Sequence, residues 1–260
     1  MCSSAWSHAA RDRTGLRQVS HSLTVCCQCQ YGPSMPERTA LTTQSSHVTS
    51  RVIALYTTDT MADWEYAYLT TQVTTAESIR PGRFRLLLVG DGLEPVTSLG
   101  GLPITPSADL SELTTLTEEG RLAALVVPGG ETYAQGHERL TAAVQDLLER
   151  GVSVAAICGG TFLLARHGVL DTRSHTSNSK GYLEASGYRG SPRYVETPVV
   201  TDQGVTTASG IHAVPFTAEV TRVSGVLPTA VADAWERLYL TGDARHYEEL
   251  AEVTRAWQES

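Results

Sequence analysis

The segment Val154-Ala155-Ala156-Ile157-Cys158-Gly159-Gly160-Thr161 carries the chain's strongest chemical signal. A short apolar run leads into Cys158, and residues 161–167 continue in a helical pattern stopped by Gly168. A side chain on the turn between a parallel strand and the next helix stands at the carboxyl edge of the sheet, where open α/β folds bind ligands. Gly159 and Gly160 permit that turn and leave the side chain accessible, the mechanics of a nucleophile elbow. A helix N-terminus favours an anion, so this reading predicts a Cys158 pKa lowered toward the thiolate. A lone thiol is more often an inert core residue; the Gly-Gly context favours chemistry here.

Other elements must hold that turn in place. Val52-Ile53-Ala54-Leu55-Tyr56, closed by Thr57-Thr58-Asp59, predicts a buried strand and a turn. Residues 61–77 place Trp64, Ala67, Tyr68 and Leu69 at helical spacing, and residues 84–89 form a second apolar run. Residues 96–99 suggest a short strand, and residues 122–127 a buried one ended by Pro128-Gly129-Gly130. Leu140, Val144, Leu147 and Leu148 stripe one face of residues 137–150. On that helix His137 reads as a surface position, as does His167 on the next. Residues 195–200 and 205–208 flank Asp202-Gln203-Gly204 as a hairpin, with helices predicted over about 212–224 and 229–240. Apolar strands alternating with helices predict an α/β three-layer sandwich with a mostly parallel central sheet over residues 51–242. Residues 243–260 read as a C-terminal tail or a final helix.

Of the 260 residues, 41% are hydrophobic and 18% charged, a globular composition. The formal net charge of −8, with no local Lys/Arg cluster, argues against a nucleic-acid partner. No apolar run approaches the roughly 20 residues that span a bilayer, so no membrane partner is expected. Cys2, Cys26, Cys27 and Cys29 crowd into the first 30 residues, and Cys158 stands alone in the globular part. That is no secreted disulfide framework, and a cytoplasmic location is expected. Residues 1–50, polar and without a period, read as a disordered leader, with Met35 a sensible alternative start. Cys26-Cys27-Gln28-Cys29 lacks a second ligand pair at zinc spacing, so no metal is expected. Without a Gly-x-Gly-x-x-Gly or phosphate-loop motif, no nucleotide cofactor is expected either.

Ala156-Ile157-Cys158-Gly159-Gly160-Thr161, followed by Leu163-Leu164-Ala165 and Gly168-Val169-Leu170-Asp171, resembles the core of the ThiJ/PfpI family. That family lies in the class I glutamine amidotransferase-like superfamily, with a flavodoxin-like sheet. The resemblance runs over about residues 51–225, through Val126-Val127-Pro128-Gly129-Gly130, residues 171–178 and Thr207-Ala208-Ser209-Gly210. It implies a carboxylate after the first strand, which Met61-Ala62-Asp63-Trp64-Glu65-Tyr66 supplies as Glu65, with Asp63 its neighbouring candidate. A buried glutamate stays protonated at raised pKa and can donate to a thiolate or an oxidised sulfur. The resemblance also makes Gly129 and Gly130 an oxyanion loop with free N–H groups, Gly159 supplying another donor.

The chain departs from the family pattern at residue 159. Peptidase-like members resemble Cys-His-Gly, whereas Gly159 leaves no adjacent base here, so peptidase activity is not expected. The third site member is left open between His175, His212 and Asn178. Thr207-Ala208-Ser209-Gly210 stands where a glutaminase would need His-x-Glu, which argues against a true glutaminase. The resemblance then implies a cysteine-dependent hydrolase, hydratase or deglycase-like enzyme for a small electrophile, in the form of a homodimer. The alternative is a redox-sensing stress protein whose Cys158 becomes a sulfinate, without turnover.

Overall fold

A computed structural model describes residues 50–260. The leader, with its cysteine cluster and Met35, lies outside the described residues. Among the described residues, nine strands and eight α-helices run in the order β1 (Arg51–Tyr56), α1 (Asp63–Ile79), β2 (Phe84–Gly90), β3 (Val96–Thr97), β4 (Pro103–Ile104), β5 (Ala108–Asp109), α2 (Glu112–Glu118), β6 (Leu122–Val127), α3 (Glu138–Glu149), β7 (Ser153–Ile157), α4 (Gly159–Arg166), α5 (Lys180–Glu184), β8 (Val199–Asp202), β9 (Val205–Ala208), α6 (Ala213–Ser224), α7 (Thr229–Thr241) and α8 (Arg245–Glu259). Seven strands form one sheet in the order β5-β2-β1-β6-β7-β9-β8, while β3 and β4 pair in a small antiparallel ribbon. All pairings in the large sheet are parallel except β8 with β9. The expected mostly parallel α/β sheet is therefore present.

The strands are apolar on both faces because both faces are covered. Along β1, Val52, Ala54 and Tyr56 enter one core, with Leu140 and Val144 of α3 and Leu163 of α4. The alternate residues Ile53 and Leu55 enter the other, with Leu69 of α1 and Phe216 of α6. In β7 Val154 and Ala156 face the first core, and Ala155 and Ile157 the second. A register shift between Val52 and Ile53 lets Leu122 pair with Val52 while Ala124 pairs with Ile53. Residues 245–259 form a helix whose Trp257 is buried in the second core.

This arrangement brings three chain segments to one edge. The strand order reverses at β1, whose parallel neighbours are β2 on one side and β6 on the other, and ligands bind at such a switch point outside the carboxyl ends of the strands. The turn after β1 delivers α1, the turn after β6 carries Pro128-Gly129-Gly130, and the turn after β7 carries Cys158.

Candidate active site

Cys158 adopts φ 53° and ψ −119°, an uncommon backbone state for a residue with a side chain. Such a state costs about 1–3 kcal/mol and persists only where neighbours enforce it. Three hydrogen bonds do so here. The Cys158 N–H donates to Ala208 O at 3.0 Å. The Cys158 carbonyl accepts from the Thr161 N–H at 3.0 Å and from the Thr161 hydroxyl at 2.5 Å. Thr161 Oγ1 is held in turn at 2.6 Å from Ser177 Oγ.

The turn after β6 packs directly on this elbow. A Cβ at residue 159 would collide with Gly130 O and come within 2.8 Å of Gly130 N. A Cβ at residue 160 would collide with Val127 O and lie 3.0 Å from Pro128 O. All of these are backbone atoms, which cannot swing aside. Glycine at 159 is thus required by the contact between the two turns, and a histidine beside the cysteine has no room.

Glu65, in the first turn of α1, is 0% exposed. Its Oε2 accepts from the Gly129 N–H at 2.6 Å. Its Oε1 has no N–H or O–H partner and faces the sulfur across Gly210. A Cβ placed on Gly210 would be 2.7 Å from Oε1 and 3.0 Å from Cys158 Sγ, so glycine is required there to admit the pair. Burial raises the Glu65 pKa to about 7, against the opposing pull of the Gly129 N–H.

Two expectations are corrected by this geometry. The Gly129 N–H is committed to Glu65 and is not free for an oxyanion. Gly130 N makes no hydrogen bond among the described residues. The Cys158 thiol is pushed up to about 11, not lowered. Burial is the largest cause and the Glu65 charge the next, and the Asn178 and Gly159 donors oppose them without prevailing.

Asn178 is the third group at the sulfur. Its Oδ1 accepts from the Gly210 N–H at 2.9 Å, which fixes the amide so that Nδ2 donates to Cys158 Sγ at 3.2 Å. His175 is fully buried with both ring nitrogens engaged, Nδ1 at 2.8 Å from Arg173 O and Nε2 at 3.1 Å from the Tyr188 hydroxyl. Burial lowers its pKa, so the ring is a neutral packing element between Tyr188 and Tyr194. His212 caps α6; its Nδ1 is buried without a partner, and it is not among the groups acting on the thiol. Asp63 accepts from Gly100 N at 2.7 Å and fastens the loop before β4 rather than meeting the sulfur. His137, read from sequence as a helix-surface residue, is half-buried between Tyr56 and Thr132, each 3.0 Å away. His167 ends α4 and accepts from Arg166 Nε at 3.1 Å. Among the described residues, no group of three or more His, Cys, Asp or Glu side chains is arranged to hold a metal ion.

Cys158 and Glu65 open into a cavity of about 350 Å³ walled by Trp64, Leu99, Tyr133, Phe162 and Tyr182. Trp64 Nε1 donates to Gly210 O at 2.9 Å, which ties the first turn of α1 to the strand end bearing Gly210. Sequence reasoning did not find these wall residues or the role of Gly210. The signal for Gly210 is its place after β9, the parallel neighbour of β7.

A parallel α/β sheet with a cysteine elbow and a buried glutamate at its carboxyl edge defines a small class of proteins. The chain belongs to the DJ-1/PfpI family, whose pattern matches residues 51–222. A Bacillus subtilis protein named as an uncharacterized protease, YoaZ, is 34% identical over 206 residues, which cover 77% of this chain and 96% of that protein. The crystal structure of a ThiJ/PfpI family protein from Bacillus anthracis superposes with a TM-score of 0.70 at 31% identity, covering 78% of this chain and 96% of that one. A DJ-1 superfamily protein from Agrobacterium tumefaciens gives a TM-score of 0.63 at 31% identity, covering 74% and 98%.

Proposed function

We propose that the protein is a cysteine-dependent enzyme acting on a small electrophile such as a reactive carbonyl, an amide or an isocyanide-like compound. The observation that carries this reading is the convergence of a conformationally strained thiol, a buried carboxyl and an amide donor on one cavity. At neutral pH the thiol holds its proton while Glu65, with a pKa of about 7, is partly ionised. Glu65 Oε1 then acts as the base that a cysteine nucleophile otherwise takes from histidine.

For a carbonyl substrate, the sulfur–carbon bond forms as the S–H bond breaks and its proton passes to Glu65. The carbonyl π electrons move to oxygen, where the uncommitted Gly130 N–H meets the charge. Glu65 then returns the proton to that oxygen or to a leaving group. Asn178 Nδ2 stabilises sulfur while it is anionic.

Turnover assays across those three substrate types test this reading. Cys158→Ala should lower kcat/KM at least about 10³-fold for whichever substrate is turned over, the scale of losing an activated nucleophile. Unchanged turnover in that variant would contradict it.

A further inference from the structure

The cavity above Cys158 carries charge of one sign. Its lining includes the carboxylates Glu65 and Glu131 and no Arg, Lys or His. Its apolar walls are fixed in shape: Phe162 and Tyr182 meet with ring centroids 5.3 Å apart, and Trp64 is tied to Gly210 O. Glu131 stands at the rim with an exposed side chain on a pinned backbone. Its N–H donates to Thr60 Oγ1 at 2.8 Å, and Thr60 N–H donates to Thr97 O at 2.7 Å. Thr60 itself holds φ 62°, so the rim keeps its form through a left-handed residue anchored on both sides.

Aromatic faces accept apolar bodies and cations, because the ring quadrupole presents negative charge on its face. An anionic group entering here would lose water against those walls with no counter-charge to replace it. It would also meet Glu131 at the entrance and Glu65 at the base. We infer that the site selects electrophiles whose body is uncharged and apolar or cationic, and excludes anionic ones, with Glu131 as the rim residue that sets this selectivity. The inference rests on the reading of Cys158 as the nucleophile and names the substrate class it serves.

Three methanethiosulfonates of similar size test it: the 2-(trimethylammonio)ethyl, the ethyl and the 2-sulfonatoethyl forms. Each transfers its thioalkyl group to a cysteine; the Cys158 sulfur forms the new disulfide, its proton goes to solvent, and methanesulfinate leaves. Rates at the Cys158 peptide of the full chain are read by mass spectrometry and divided by each reagent's rate with a free small thiol. The cationic form should exceed the anionic one by about tenfold or more at low ionic strength. That ratio should shrink at about 0.5 M salt, where screening lengths are a few ångströms. It should fall in Glu131→Gln and fall further in Glu131→Lys. A normalised ratio near one, or a ratio that neither variant changes, overturns the inference while leaving Cys158 reactive. Failure of all three reagents to modify Cys158 overturns both the inference and the reading beneath it.

Discussion

At the residue scale, the site is set by how one carboxyl and one thiol share a dry space. Glu65 is fully buried with a single N–H donor, and burial outweighs that donor, so its pKa rises from the ordinary 4.5 to about 7. The sign for stability follows directly. The folded state holds this proton more tightly than the unfolded chain, so the contribution is fully present below about pH 4.5 and is lost as pH rises through about 7. Glu65→Gln keeps an oxygen for the Gly129 N–H and removes the titration. Its stability relative to wild type should therefore grow between pH 5 and pH 8, by an amount on the order of 3 kcal/mol at most. Chemical denaturation of both proteins across that range would show it, and a difference independent of pH would exclude it. The sequence marked Glu65 only through family resemblance, because no local pattern separates a buried first-turn glutamate from a solvated one. Burial is decided by Gly129 and Gly210, which lie 64 and 145 residues away in the chain. The thiol shift was misread for a related reason. A helix N-terminus is visible in sequence, whereas the dehydration of Cys158 and its neighbouring carboxylate are visible only in three dimensions.

At the scale of elements, the glycines explain what the chain does without. The missing histidine after Cys158 looks in sequence like a lost catalytic group. In the fold it is a packing requirement, because the turn after β6 lies against the first residue of α4. Gly159→Ala should therefore destabilise the protein by about 1–3 kcal/mol, the usual cost of overpacking, and slow Cys158 alkylation. Gly159→His should cost more and yield no peptidase. Thermal unfolding with alkylation kinetics checks both, and a Gly159→His variant of unchanged stability would contradict the packing argument. The strand–turn–helix order around Cys158 was legible because apolar runs and glycines punctuate it. The β8–β9 hairpin was legible too, from the turn at Gln203 and Gly204, both at positive φ, although β8 begins at Val199 rather than at residue 195. By contrast β4, β5, α2 and α5 span only two to seven residues each. They are too short for an apolar period to register, and tertiary contacts hold them. One such contact is the bond from Ser107 N–H to Leu88 O at 2.9 Å.

At the scale of the molecule, the two-sided core is what sequence pattern conveys best. Runs such as Leu122-Ala123-Ala124-Leu125-Val126-Val127 are buried at every position. A strand apolar throughout belongs to a sheet covered on both faces, and that fixes the three layers and the carboxyl edge where chemistry can sit. What composition cannot convey is which side chains converge there. Asn178 reaches the sulfur from the segment before α5, and His175, three residues earlier, turns into a cluster with Tyr188 and Tyr194. The two were equal contenders in sequence. A residue's direction within an irregular segment depends on the bond between Asn178 Oδ1 and Gly210 N, which joins two distant parts of the fold. No helix among the described residues is long and apolar enough to cross a membrane.

The central claim is that Glu65 serves as the base for Cys158. Its most direct test is the pH dependence of Cys158 alkylation by iodoacetamide, followed at the Cys158 peptide in wild type and Glu65→Gln. The wild-type rate should climb through an inflection near pH 7, where Glu65 becomes able to take the thiol proton, and climb again at high pH as the thiol ionises by itself. Glu65→Gln should lose the lower inflection and keep a single rise at higher pH. Superimposable profiles for the two proteins would contradict the account.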